Sequence, residues 1–375
     1  MVSKKSIMAM VMVAIAVMAV VAVYILSMQG RLPEIEGQKV KPVTLTDGTG
    51  RKVTVNMPVK KIISLNSGIT ELLYALGCGD KIIARDRNSN FPEAVLDKPI
   101  VASSSYDPNV ELILEMSPDL VLADDMLFYN QEALDKLESA GIAVIMENLS
   151  NVTRIKTVIA NLGLILECED RADEIIDFIE KYESFIEERI RDLPESRKPQ
   201  VYIEWWTPWQ SFGKGSATNK IIYDAGGINI AGGIDHPAPL LTPEFVVDRN
   251  PDIILRMAPA NAIGNLTAFR AVRNEILNRP ELREVKAVKN GKVYIYDPII
   301  LEGLRYPIGL IYLAKCFHPN LFADINPEAV HMQLIQKYFG GESREVYFYP
   351  SPSVSYTHLR AHETSLHLVC RLLLE

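Results

Sequence analysis

Apolar residues recur at helical spacing over residues 170–193. Ala172, Ile175, Ile176, Ile179, Tyr182, Phe185, Ile186 and Ile190 line one face, and acids and bases fill the others. The pattern predicts one long amphipathic helix, capped by Asp170, stopped by Pro194 and spanning roughly 33 Å, about the width of a small domain. A rod of that length joins two lobes rigidly. The chain on either side of it repeats itself. NVELILEMSPDLVLAD from Asn109 and TPEFVVDRNPDIILRM from Thr242 each open a short helix with a glutamate, Glu111 or Glu244, and close it at a Pro-Asp turn running into an apolar strand. GDKIIARD from Gly79 and GKVYIYD from Gly291 are a second matching pair, each a turn followed by a strand.

Taken in order, residues 43–55 alternate apolar and polar positions about a Gly-rich turn and read as a β-hairpin. An apolar strand at 62–65 then leads through Asn66-Ser67-Gly68 into a helix opened by Thr70-Glu71 and ended at Gly77. Further strands end in polar loops at Asp86-Arg87-Asn88, Ser103-Ser104-Ser105-Tyr106, Asp124-Asp125 and Glu147-Asn148, with helices at 131–140 and 152–166. Strands alternating with helices predict an α/β fold: two lobes with mostly parallel sheets joined by one long rigid interlobe helix, preceded by an N-terminal transmembrane anchor. The expected segments are an anchor at 1–30, a tether at 31–42, an N-terminal lobe at 43–168, the helix at 169–194, a C-terminal lobe at 199–340 and a tail at 341–375.

The anchor rests on an uninterrupted apolar run at 7–28, of bilayer-spanning length, behind Lys4 and Lys5, which orient the folded body outward. Tyr24, Ile25 and Leu26 near its end disfavour a small-residue cleavage site, and no cysteine precedes Cys78 to carry a lipid. From about 353 the chain abandons the composition of the rest and resembles translated sequencing-adapter DNA; its His358, His362 and His367 are set aside for that reason. A net charge of −8 argues against a nucleic-acid surface. Cys78, Cys168 and Cys316, without CxxC spacing, indicate neither a disulfide framework nor a zinc site, and the sequence does not choose a pair that an extracellular body would join.

Polar loops at the carboxyl ends of strands are where open α/β sheets bind ligands. They make Asn66, Ser67, Arg87, Ser104, Tyr106 and Asp125 candidates in the first lobe, and Trp206, Trp209, His236, Arg256 and Arg305 in the second. Trp205, Trp206 and Trp209 are the chain's three tryptophans; so close together they cannot all enter one core, so at least one is expected in the cleft, where aromatic faces suit a bulky organic ligand. Arg305 is open to holding an anion, capping a helix or packing the lobes. Neither GxGxxG nor GxxxxGK[ST] is present, nor HExxH, nor a nucleophile-base pair, so no catalytic residues, protein-bound metal or cofactor are expected.

These stretches, together with AGGINIAGG and AVKNGKVYIYD, resemble the class III substrate-binding proteins of ABC importers, the cobalamin, haem and iron-siderophore binding family, from about residue 43 to 340. The resemblance implies two α/β lobes with little hinge closure and a ligand held between them. It also implies delivery of a metal chelate, of iron or cobalt, by a monomer to a permease and its ATPase, with Glu111 and Glu244 as the two docking glutamates. Arg87, Arg256 and Arg305 with the aromatics favour an anionic or corrinoid-like chelate. Two rivals are a surface sensor using the same pocket without transport, and a nitrogenase-like cluster enzyme, against which the scattered cysteines argue.

Overall fold

The computed structural model describes residues 41–341, 343–344 and 346–352. The apolar run at 7–28, most of the tether and the tail from 353 lie outside the described residues. Among the described residues no helix is long and apolar enough to cross a membrane.

The expected hairpin forms as β1 (Lys41–Thr46) and β2 (Lys52–Met57). The first lobe is built on β3 (Ile62–Ser64), β4 (Ile82–Asp86), β5 (Ile100–Ser104), β6 (Asp107–Pro108), β7 (Leu120–Ala123) and β8 (Ala143–Met146), in the order β6-β5-β4-β3-β7-β8. All neighbours are parallel except β5 with β6. The second lobe holds β9 (Gln200–Glu204), β10 (Ile228–Asn229), β11 (Ile253–Met257), β12 (Val293–Tyr296) and β13 (Phe348–Tyr349), in the order β10-β9-β11-β12-β13, parallel but for β13. Its sheet therefore runs past the expected end at 340.

The sequence repeat is a structural repeat. Helices Val110–Met116 and Pro243–Arg249 are each 7 residues long and start at a side-chain cap, Asn109 or Thr242. Each ends in a left-handed residue, Ser117 or Asn250. The aspartate of each Pro-Asp turn then pins the chain entering the first strand of its lobe: Asp119 accepts from the Lys60 and Lys61 amides at 2.8 Å, and Asp252 from the Gln200 amide at 2.9 Å.

The long helix runs Glu169–Ile190, 22 residues, and buries Ala172, Ile175, Ile179, Tyr182 and Ile186. Asp170 lies inside its first turn rather than capping it; Cys168 stands at the cap and makes no side-chain bond there. Helix Ile155–Leu166 packs beside it, and Gly163 allows the approach, since a Cβ there would come within 2.5 Å of the Ala172 methyl. On the far side lies helix Tyr306–Phe317, buried over its whole length, as an apolar sequence without a polar face requires. One continuous hydrophobic cluster runs through both lobes and these helices.

The helix after β3 starts two residues earlier than its sequence suggests. It spans Ser67–Ala75, and Asn66 caps it by accepting from the Ile69 amide at 3.1 Å. Glu71 is consequently no capping acid but sits mid-helix, buried, facing Arg305 of the second lobe at 2.7 Å. Arg305 is 1% exposed, lies 2.6 Å from His331 Nε2, and has the rings of Phe91 and Tyr347 each 5.0 Å from its guanidinium. It joins the lobes.

His331 is buried beside that guanidinium, and both effects push its pKa down to about 3. A group neutral in the fold but free to take a proton when unfolded contributes stability that is complete above about pH 6.5 and lost as pH falls toward 3. His331→Gln keeps an acceptor for Arg305 without the titration. Its acid-unfolding midpoint, followed by circular dichroism, is expected below that of the parent; an unchanged midpoint would refute the role given to this ring.

Candidate ligand-binding cleft

The carboxyl ends of the two sheets face a cleft between the lobes. Its larger part, about 1220 Å³, is lined by Asn148, Ser150 and Asn151 from the loop after β8 and by Trp205, Trp206, Phe212, Met257, Tyr296 and Glu302 from the second lobe, among others. A smaller part, about 540 Å³, has Ser67, Asn88 and Asn90 on one side and Asp297, Glu302 and Arg344 on the other. Pro298 and Glu302 line both.

The tryptophans divide. Trp205 and Trp206 stack at 4.8 Å with planes 9° apart, Trp205 rests edge-on against Phe212, and Trp206 stays 51% exposed in the cavity wall. Trp209 lines neither part. Its backbone takes a positive φ of 65°, its amide donates to Glu204 Oε1 at 2.7 Å, and its ring lies between Tyr202 and the Arg279 guanidinium. A strained conformation of this kind persists where surrounding bonds over-determine it.

Glu204, at the end of β9, is the source of those bonds. Fully buried, it also accepts from Tyr202 Oη at 2.8 Å, from Arg279 at 2.6 and 3.0 Å, and from Arg256. Arg256 in turn donates to the Trp206 carbonyl oxygen. Arg256 is therefore spent inside the protein, positioning the tryptophan loop, and does not face the ligand space. The same holds for Arg305, whose charge is used between the lobes.

In the first lobe Ser67 lines the smaller cavity. Asn66 donates to Asp124 at 3.1 Å, and Asp125 accepts from Asn148 at 2.9 Å, so Asp125 braces a cavity residue. Arg87 and Tyr106 are exposed and Ser104 is half-buried, and none of the three lines either cavity. Exposed His236 accepts from the Ala238 amide at 3.0 Å and lines neither, though Gly232 and Gly233 of the same loop line the larger cavity.

Sequence reasoning passed over Glu302 and Tyr296 as site residues. Burial pushes the Glu302 carboxyl up to about 7; a hydrogen bond from Ser150 across the cleft opposes this, and Asp297, Asp124 and Glu71 add to it. Tyr296, at the end of β12, is 1% exposed, lines the larger cavity, and its hydroxyl has no hydrogen-bond partner. The available signals were weak: an acid between Leu301 and Gly303 after a strand, and one tyrosine among several. Among the described residues no three His, Cys, Asp or Glu side chains converge as a metal-ion site.

Residues 62–300 match the family described as Periplasmic binding protein. The chain belongs to that family. It is 28% identical to an uncharacterized ABC transporter substrate-binding lipoprotein of Bacillus subtilis, over 76% of this chain and 88% of that one. It is 27% identical to the vitamin B12-binding protein of Yersinia pestis, over 56% of this chain and 74% of the other. Among solved structures it resembles a TroA-like periplasmic binding protein of Veillonella parvula, with a TM-score of 0.68, 23% identity and coverage of 82% of this chain and 99% of that one; at this identity the likeness concerns the fold. The class III resemblance drawn from the sequence agrees. Family and neighbours are solute-binding proteins, not enzymes, and proteins of the periplasmic type work outside the cytoplasm.

An unpaired buried hydroxyl costs the free protein about 1–3 kcal/mol. Tyr296→Phe is expected to melt at the same temperature or higher, yet to lose about 5- to 10-fold in ligand affinity if the ligand supplies the missing acceptor. Titration and calorimetry on the same samples test both halves, and a variant that is less stable and binds normally would rule the role out.

Proposed function

We propose that this protein captures a bulky metal chelate outside the membrane, a corrinoid of cobalt before an iron-siderophore or haem, and hands it as a monomer to an ABC permease driven by its ATPase. The observation that carries the ligand class is the cavity of about 1220 Å³ walled by the stacked Trp205–Trp206 pair. That volume exceeds the roughly 300–1000 Å³ usual for small-ligand pockets. The three arginines that suggested an anion do not face the cavities, Arg256 and Arg305 being engaged internally and Arg87 lying outside both, while two of the cations that do line them are paired, Arg344 with Asp297 and Lys220 with Asp224. What remains is aromatic and amide surface among charges of both signs, Glu195, Lys198, Glu302 and the Lys220–Asp224 pair, a lining for a large ligand bearing amides and little net charge. Similarity to the vitamin B12-binding protein points the same way.

Cyanocobalamin, haemin and a ferric siderophore titrated against the protein separate the ligands. Cobalamin is expected to quench tryptophan fluorescence, and Trp206→Ala to weaken it by about 1–3 kcal/mol with the fold intact. Covering Glu302 with a neutral ligand strips its remaining water and raises its pKa further, so binding takes up a proton and is tighter near about pH 6 than about pH 8. Glu302→Gln is expected to level that difference. Siderophore binding without cobalamin binding would overturn the ligand, and affinity rising with pH would mean a cation faces Glu302.

Docking is proposed to use Glu111 and Glu244. Both are exposed and occupy the same place in the two structural repeats, so one charge per lobe addresses a roughly two-fold receptor. Charge reversal of both, Glu111→Arg with Glu244→Arg, is expected to leave melting and ligand affinity nearly unchanged while abolishing uptake and stimulation of the transporter ATPase. Normal uptake would dismiss the assignment.

Retention by the apolar run at 7–28 completes the reading, in place of the lipid that the Bacillus relative's description implies. The full chain is expected to stay with membranes through a high-salt wash; recovery of a soluble form beginning near Gln29 would contradict it.

A further inference from the structure

Cys78 and Cys168 are 90 residues apart in sequence, yet their sulfurs approach to 3.8 Å. Each stands at an element junction with its backbone held. Cys78 lies between helix Ser67–Ala75 and the single turn Gly79–Lys81, its amide bonded to the Leu73 carbonyl oxygen at 2.8 Å. Cys168 lies between Ile155–Leu166 and the long helix, its amide bonded to the Gly163 carbonyl oxygen at 2.9 Å. A disulfide needs its sulfurs at about 2.05 Å. The sulfurs are thus under about 2 Å from bonding distance, a gap of the size side-chain rotation can close.

We propose that Cys78 and Cys168 form a stabilising disulfide that staples the first lobe to the interlobe helix once the protein meets an oxidising compartment. The oxidant is a thiol-disulfide exchange donor, a protein or small-molecule disulfide. Cys168, only partly buried and so the more accessible, attacks one sulfur of the donor and gives up its proton as it does so, forming a mixed disulfide and releasing the first donor thiol. Cys78 then attacks the Cys168 sulfur as thiolate, closing the bond and expelling the second. Two electrons pass from the cysteine pair to the donor disulfide, and the two cysteine protons end on the departing thiols. In the reduced pair the mutual contact and the charge of Lys81 lower the Cys78 pKa, while the same contact and burial raise that of Cys168, so the Cys168 proton leaves as its sulfur attacks. Cys316, buried in helix Tyr306–Phe317 with its thiol pushed up by burial, has none of these features.

The bond would close a loop holding five of the six first-lobe strands, and the stabilisation from a crosslink grows with the loop it closes. It would also fix the end of the helix that carries Glu71, and so the first-lobe side of the interlobe ion pair.

The test uses the full chain with oxidised glutathione, so its outcome does not depend on the ligand or on transport. Of the 4 cysteines, maleimide labelling under denaturing conditions is expected to find Cys316 and Cys370 free and the other two protected, with a Cys78–Cys168 crosslinked peptide in the digest. Reduction is expected to lower the melting temperature of the parent by several degrees and to leave that of Cys78→Ser/Cys168→Ser unchanged. Four free thiols after prolonged exposure, a crosslink to Cys316 or Cys370, or equal melting of oxidised and reduced parent protein would each overturn the proposal.

Discussion

The ion pair between Arg305 and Glu71 sets the relation of the two lobes, and most of what the cleft can do follows from it. Both side chains are buried, and neither has solvent to fall back on if the lobes part. Breaking such a pair by removing one partner costs about 3–5 kcal/mol, because the other charge is left stranded. His331 and the rings of Phe91 and Tyr347 close the remaining sides of the guanidinium, so the pair is packed as well as bonded. A backbone bond from the Gly303 amide to the Leu149 carbonyl oxygen at 3.1 Å adds a second tie across the lobes. The wide closing motion that many two-lobed binding proteins use would have to break these contacts. The cavity is accordingly pre-formed, and its affinity must come from its lining.

The second lobe spends its buried charge in the same manner. Glu204 gathers Arg256, Arg279, Tyr202 and the Trp209 amide, and through Arg256 it reaches the carbonyl oxygen of Trp206. The network sets the path of the tryptophan loop, and the loop presents Trp205 and Trp206 to the ligand space. A loop held by buried, charge-assisted hydrogen bonds loses little further entropy when a ligand arrives. Arg256 and Arg305, which look like anion anchors in the sequence, are thus framework. Glu302 and the unpaired Tyr296 hydroxyl stand out as the polar groups that the fold leaves unsettled.

The fold was legible because its signals are local. Helical periodicity places the 22-residue interlobe helix to within a few residues, and the Pro-Asp repeat marks equivalent turns because Asp119 and Asp252 do the same job in each lobe. Local rules mislead at element edges: they put the cap of the long helix at Asp170, two residues past the actual cap Cys168, and they make Glu71 an opening residue when its partner lies 234 residues away. The cleft was legible only as a set of strand ends. Whether an arginine faces a ligand or a buried glutamate depends on which side chain another lobe or loop brings to it. Nothing within a few residues of Arg256 or Arg305 carries that information.

The contrast between the lobes' likeness and the cleft's asymmetry locates the specificity of this protein. The repeated parts, the strand-pinning aspartates and the short helices with their exposed glutamates, line neither cavity and belong to the construction of each lobe. The unrepeated parts line the cavity: the tryptophan pair comes after β9 alone, and Glu302 follows β12 alone. The first lobe answers them with the neutral polar groups of Asn148, Ser150, Asn151 and Thr153. A ligand seated there meets aromatic surface and an acid on one side and amide and hydroxyl groups on the other. The two walls of the cavity thus differ in chemistry, while the short helices of the repeat keep their approximate symmetry.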